Sequence, residues 1–89
     1  MNTYIINYDL IAPGKNYDRL FEAIKSYGTW AHVLESCWLI KSSLSATEVR
    51  NHLVKYIDYN DKLLVAKSGN QGAWRGLKEN QSDWLRKNI

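Results

Sequence analysis

The chain has 89 residues, of which 45% are hydrophobic and 24% are charged, and its formal net charge at pH 7 is +3. This length allows one domain with one thin core, because so short a chain buries only a little over ~60% of its unfolded surface. The single cysteine, Cys37, excludes an intramolecular disulfide, and the sequence shows no signal segment and no apolar span of ~20 residues. We therefore expect a cytoplasmic protein with no membrane partner.

The first predicted element is a strand near the start of the chain. Residues 4–8 are rich in aromatic and β-branched side chains, and Asp9 follows where the strand is expected to leave the sheet. Alternation along a strand puts Asn7 on the same face as Asp9 and sends Tyr8 to the other face. Residues 12–14 then predict a turn.

Two helices and three further strands are predicted after this turn. Apolar residues at three- and four-residue intervals over residues 17–27 predict an amphipathic helix that ends at Gly28. Residues 30–34 and 37–41 predict two short strands, and Ser45 with Glu48 forms a capping box for a second helix. A fourth strand is predicted at residues 63–66, and a short C-terminal helix is predicted at residues 83–87 with Ser82 as its cap.

This order predicts an α+β fold, namely a ferredoxin-like βαββαβ two-layer sandwich with an antiparallel sheet. Residues 1–68 form its core, and residues 69–89 are a basic, Trp-containing C-terminal extension of the same domain. The strands carry apolar side chains on both faces, whereas two helices cover only one. We therefore predict a homodimer joined through the other face, with the Trp84 tail packing across the boundary.

The positive charge is concentrated in the second half of the chain. Residues 62–78 contain no acid, and they hold the predicted nucleic-acid-binding residues Lys62, Lys67, Trp74, Arg75 and Lys78. A basic segment with an aromatic side chain can follow a phosphate backbone and stack on a base. The alternative is a solvated loop that leaves the last strand.

The layout of residues 3–68 resembles the SinR-like proteins, which are related to VapD and to the small CRISPR-associated adaptation protein Cas-two. The features that carry the resemblance are the strand ending at Tyr8 and Asp9, the helix ending at Gly28, the strand pair around Ser36 and the helix led by Ser45. The family's Arg-Val-Gln-x-Ser segment corresponds here to residues 32–36, which keep the valine and the serine but not the arginine and the glutamine.

The resemblance implies a dimeric, magnesium-dependent endoribonuclease in which Asp9 is the catalytic and metal-binding residue, facing its counterpart in a second copy. Asn7 is then the neighbour expected to support Asp9, and His32 is a candidate general base. A carboxylate before a turn is also a common turn cap, which is the structural alternative for Asp9. The predicted hairpin also allows Cys37 and His32 to act as a nucleophile and base, but a lone cysteine on an apolar strand is expected to be an inert core thiol.

A second functional hypothesis belongs to another class. The same fold and dimer are expected to suit a non-catalytic binding or adaptor protein, or an inhibitor of phage or mobile-element defence systems, with a nucleic acid, a nucleotide or another protein as partner. The missing arginine and glutamine before Ser36 favour this alternative.

Overall fold

The computed structural model describes residues 1–11 and 17–89, so the turn predicted at residues 12–14 lies outside the described residues. Over the described part, the chain forms four strands, three α-helices and a short 3₁₀ helix. In chain order these are β1 (Asn2–Asp9), α1 (Asp18–Lys25), β2 (Trp30–Leu34), β3 (Cys37–Ser42), α2 (Ala46–Leu53), the 3₁₀ helix (Val54–Tyr56), β4 (Lys62–Lys67) and α3 (Glu79–Asn88). None of these helices has the length and apolar character needed to cross a membrane.

The strands form one antiparallel sheet in the order β2-β3-β1-β4, which confirms the predicted α+β class. β1 is central and pairs with β3 on one side and β4 on the other. Its alternating side chains define two faces. We call the face of Tyr4, Ile6 and Tyr8 the helix face, and the face of Ile5, Asn7 and Asp9 the tail face.

The helix face holds the main hydrophobic core beneath α1 and α2. The core residues with no solvent exposure come from both helices and from the central strands: Ile6, Leu20, Ile24, Ile40, Val49 and Leu53. Each such side chain contributes about 1.5–3 kcal/mol through burial. The apolar residues that alternate along the strands and those that recur every three to four positions along the helices therefore pack together in this layer.

Two sequence signals set the helix ends as predicted. At the start of α2, the Glu48 backbone N–H donates to Ser45 Oγ at 3.1 Å, and the Ser45 N–H donates to Glu48 Oε1 at 3.0 Å. After α1, Gly28 has a φ of +88°, the left-handed conformation that favours glycine.

The predicted start of the C-terminal helix is wrong. α3 begins at Glu79, one turn before Ser82, because the Gln81 side chain accepts the Lys78 backbone N–H at 3.0 Å and caps the helix there. Ser82 is buried inside α3, and its hydroxyl accepts a hydrogen bond from the Trp74 indole N–H at 3.1 Å.

The C-terminal segment lies on the tail face. Buried Cys37, Leu39 and Leu85 form a second cluster there, against which partly buried side chains of the sheet and the segment pack: Ile5, Val33, Trp74, Leu77, Trp84 and Ile89. The Gln81 amide also donates to the His32 carbonyl of edge strand β2 at 2.6 Å. The apolar residues that suggested a homodimer are thus covered by the chain itself, and the homodimer stays a prediction.

Candidate functional site

The tail does not cover all of the tail face. Four exposed side chains lie together at the end of β1 and the start of β4, and we call them the open strip: Asn7, Asp9, Lys62 and Leu64. In the sheet register, Asp9 is opposite Lys62 and Asn7 is opposite Leu64, whose exposed fraction is 59%. The strip borders a shallow depression of about 270 Å³.

The end of β1 is held firmly from the helix face. The Tyr8 hydroxyl accepts a hydrogen bond from the Trp38 indole N–H at 3.0 Å and donates to the Glu35 carbonyl at 3.1 Å, while the Tyr8 backbone N–H donates to the Ser36 carbonyl at 3.1 Å. Desolvation by burial raises the pKa of Tyr8 above its ordinary value, so its phenol stays protonated and keeps donating. This network fixes the backbone from which Asp9 projects.

Asp9 itself is a free carboxylate within the described part of the chain. Its side chain is exposed, and no hydrogen bond or ion pair joins it to another described residue, including Lys62 across the strand pair. A carboxylate of this kind stays hydrated and available to a ligand. The alternative role, capping the turn that leads to Pro13, falls on residues outside the described ranges.

The described residues of one copy do not complete a magnesium site by themselves. The described residues contain no group of three His, Cys, Asp or Glu side chains able to hold a metal. The open strip supplies one carboxylate from Asp9 and one amide oxygen from Asn7, with the Lys62 ammonium in register beside them. Magnesium requires near-octahedral oxygen coordination, of which these residues provide only a part.

His32, the candidate general base, lies away from Asp9. Its ring stacks on Trp38 on the helix face, with centroids 3.9 Å apart and planes at 9°, and its Nε2 is 3.1 Å from the Glu35 carbonyl oxygen. Because a carbonyl only accepts, Nε2 carries the proton of the neutral ring. The structure therefore does not bring His32 to the face of Asp9, nor to Cys37, which belongs to the tail-face cluster.

The predicted nucleic-acid-binding lysines of β4 lie on different faces. Lys62 and Lys67 are at the two ends of the strand, about 17 Å apart at the usual rise per residue. An odd separation turns their side chains to opposite sides, so that Lys62 pairs with Asp9 and Lys67 with Tyr4. They do not form one continuous basic groove.

The other predicted contacts are in the tail. Arg75 is exposed in the loop before α3, and Lys78 is the residue that precedes the helix. Trp74 is partly buried in the tail-face cluster, with its indole N–H bonded to Ser82. Among the tryptophans, Trp30 is exposed by 38% and has the Lys25 Nζ 5.3 Å from its ring centroid, which makes it more accessible for stacking.

Sequence reasoning missed a cavity between the tail and the sheet. It has a volume of about 350 Å³, and Trp74, Leu77, Leu85 and Ile89 of the tail contribute to its wall. The Cys37 thiol also lines it, and burial raises the pKa of this thiol. The signal that indicates a packed tail is the recurrence of these four apolar residues at separations of three, eight and four positions.

A scan against models of known protein families finds no match to this chain, and a search of solved structures finds none either. Its function is therefore inferred from the open strip, from the disposition of its charges and from the residues that carry the resemblance.

Proposed function

We propose that this protein acts on nucleic acid as a homodimer, in the manner of the SinR-like and Cas-two-like proteins that its sequence resembles. The observation that carries the proposal is the position of Asp9, an exposed carboxylate with no described partner, on the part of the tail face that the C-terminal segment leaves uncovered. Exposed Leu64 beside it gives a second copy an apolar contact, so that packing strip against strip brings both Asp9 side chains into one interface.

We also propose that residues 1–68 have the ferredoxin-like topology. The chain order βαββαβ and the sheet order β2-β3-β1-β4 support this assignment. In that topology each crossover, through α1 and through α2, skips one strand and lies on the same face of the sheet.

The magnesium-dependent endoribonuclease activity that the resemblance implies needs two copies, since one chain supplies a single carboxylate to the open strip. When bound, magnesium supplies Lewis-acid stabilisation of a phosphodiester's developing charge. In this proposal Asp9 is a metal ligand, Asn7 supports it, and Lys62 attracts the phosphate backbone.

The catalytic assignment is tested with a panel of labelled RNA and DNA strands, incubated with and without magnesium. Asp9→Asn removes the charge but keeps the shape, and we expect it to lower cleavage at least a hundredfold, by the loss of a metal ligand. Asp83→Asn is the matched control, because Asp83 is an exposed aspartate paired with Arg86 on α3. Equal cleavage by wild type and Asp9→Asn would show that Asp9 is not catalytic.

The dimer geometry has its own test. In a Cys37→Ser background, Asp9→Cys should form an intermolecular disulfide rapidly under mild oxidation, whereas Asp83→Cys should not, because Cβ atoms must approach to about 3.5–4.5 Å. Slow cross-linking at both positions would contradict an interface centred on Asp9.

A second candidate function is non-catalytic binding of a nucleic acid or a protein partner. Two observations favour it: the described residues hold no three-ligand metal group, and the basic side chains of β4 are divided between two faces. The salt dependence of binding distinguishes a nucleic-acid partner from a protein partner. Nucleic-acid affinity should fall steeply with salt, whereas binding that salt hardly changes indicates a protein partner.

A further inference from the structure

The tail-face cavity lies outside the open strip and has a different character. Its floor is the sheet, with Ile5 and Leu39, and its roof is the tail, with Leu77 and Leu85. With a volume of about 350 Å³, it falls within the range of small-molecule sites. The cavity is open to solvent on one side, so an apolar occupant would displace water from its apolar walls and gain dispersion contacts with them.

One positively charged side chain lines this otherwise apolar cavity. Arg75 is the only charged side chain among the described residues that line the cavity, and it is exposed, as is Leu34 of β2, which also lines it. No described carboxylate pairs with Arg75. Its guanidinium is therefore available at the solvent side of a pocket that is otherwise apolar.

We propose that this cavity binds a small apolar molecule with one anionic group, such as a medium-chain alkanoate. The hydrocarbon chain lies between α3 and the sheet, and the carboxylate remains at the mouth, where Arg75 binds it. A molecule with one apolar chain and one carboxylate matches the cavity. The Arg75 guanidinium is suited to bind a carboxylate, and the apolar interior offers no partner for another charged group on the ligand. The proposal does not depend on the function of Asp9.

Cys37 provides a reporter at the site itself, since it is the only cysteine of the chain and lines the cavity. The experiment measures the alkylation rate of the thiol in the full-length protein at fixed pH, while hexanoate, octanoate, octan-1-ol or octylamine is titrated. Methyl resonances of Leu85 and Ile89, recorded in the same titrations, give a second readout that does not depend on thiol reactivity.

We expect octanoate to slow the alkylation of Cys37 saturably and to shift both methyl resonances. Each added methylene between hexanoate and octanoate should tighten binding about fourfold. Octanoate should bind roughly tenfold more tightly than octan-1-ol because of the charge-assisted contact, and octylamine should bind most weakly.

Arg75→Gln should reduce the affinity for octanoate to that for octan-1-ol and leave octan-1-ol itself unchanged. Arg19→Gln, an exposed arginine on α1 at the helix face, is the matched control and should behave as wild type. The proposal is overturned if neither readout changes up to the solubility limit of octanoate. It is equally overturned if octylamine binds as well as octanoate, or if Arg75→Gln keeps the preference for the anion.

Discussion

The two faces of the sheet are covered in different ways. On the helix face, α1 and α2 bury a continuous core in which six of the described side chains have no solvent exposure. On the tail face, a single helix and the loop before it cover Cys37 and Leu39, leave a cavity of about 350 Å³, and stop short of the open strip. The helix face therefore holds the main core of the described residues, whereas the tail face carries both the open strip and the cavity.

The position of the tail also restricts where a second copy can pack on the sheet. Apolar side chains on both faces of the strands led us to expect an intermolecular cover for the whole tail face. The chain's own tail supplies that cover over Leu39, so the proposed second copy would pack at Leu64 and Asp9 instead. A small interface of this kind is expected to be weak and concentration-dependent.

The largest effect is expected on the helix face. Leu53→Ala removes a side chain with no solvent exposure and should lower the free energy of unfolding by about 3–4 kcal/mol, measured by urea denaturation. Val54→Ala, at the neighbouring position, removes a side chain that is 42% exposed and should cost less than about 1 kcal/mol. Similar costs at the two positions would contradict the assigned core.

A leucine-to-alanine substitution on the tail face should lower the free energy of unfolding by less than Leu53→Ala does. Leu85 borders the cavity, so Leu85→Ala loses fewer contacts, and we expect a decrease of about 2 kcal/mol together with faster alkylation of Cys37. Lys87→Ala, at an exposed position of α3, is the control and should change neither quantity. A wild-type free energy of unfolding for Leu85→Ala would mean that the tail does not pack on the sheet.

Substitution of Tyr8 tests the hydrogen-bond network that holds the end of β1. Tyr8→Phe leaves the buried Trp38 indole N–H without its acceptor and should lower stability by about 1–2 kcal/mol at neutral pH. Tyr4→Phe makes a useful comparison, because the Tyr4 hydroxyl only donates to the Leu44 carbonyl, at 2.6 Å. A smaller loss for Tyr8→Phe than for Tyr4→Phe would contradict the network.

The raised pKa of Tyr8 makes its contribution depend on pH. Burial favours the protonated phenol in the folded state, so this contribution is fully present below the ordinary pKa of 10.0 and is lost as pH rises through the folded-state pKa. Wild type should therefore lose stability above about pH 10 more steeply than Tyr8→Phe. Parallel curves for the two proteins would show that Tyr8 does not titrate abnormally.

The smallest effect on stability is expected in the open strip. Asp9→Asn and Lys62→Gln should each change the free energy of unfolding by less than about 0.5 kcal/mol, since both side chains are exposed and no salt bridge joins them. A loss of more than about 1 kcal/mol for Asp9→Asn would support the turn-capping role instead.

Most of the secondary structure could be predicted because its signals are local. The strand at residues 30–34, the capping box at Ser45 and the stop at Gly28 each depend on side chains within a few positions of one another. The start of α3 was misplaced because two caps compete there. Ser82 is a favourable cap residue, but Gln81 caps the helix one turn earlier and frees Ser82 to accept from Trp74.

The candidate site was only partly predictable, for a different physical reason. Alternation along one strand is enough to put Asn7 and Asp9 on one face, whereas the position of His32 depends on how β2 pairs with β3. The fold-back of the tail is a long-range contact, and periodicity shows that a segment is amphipathic without showing what it covers. The odd separation of Lys62 and Lys67 also indicates opposite faces of a strand, a signal that the prediction of one basic nucleic-acid-binding segment did not use.

The central claim is that the tail face is covered by the chain's own tail and is open to a second copy only at the strip. Methyl nuclear Overhauser contacts in an equal mixture of isotopically labelled and unlabelled protein test this most directly. We predict that contacts between Leu39 and Leu85 arise within one chain and that any contacts between chains are confined to Leu64 and its neighbours. Intermolecular contacts at Leu39 would contradict the account.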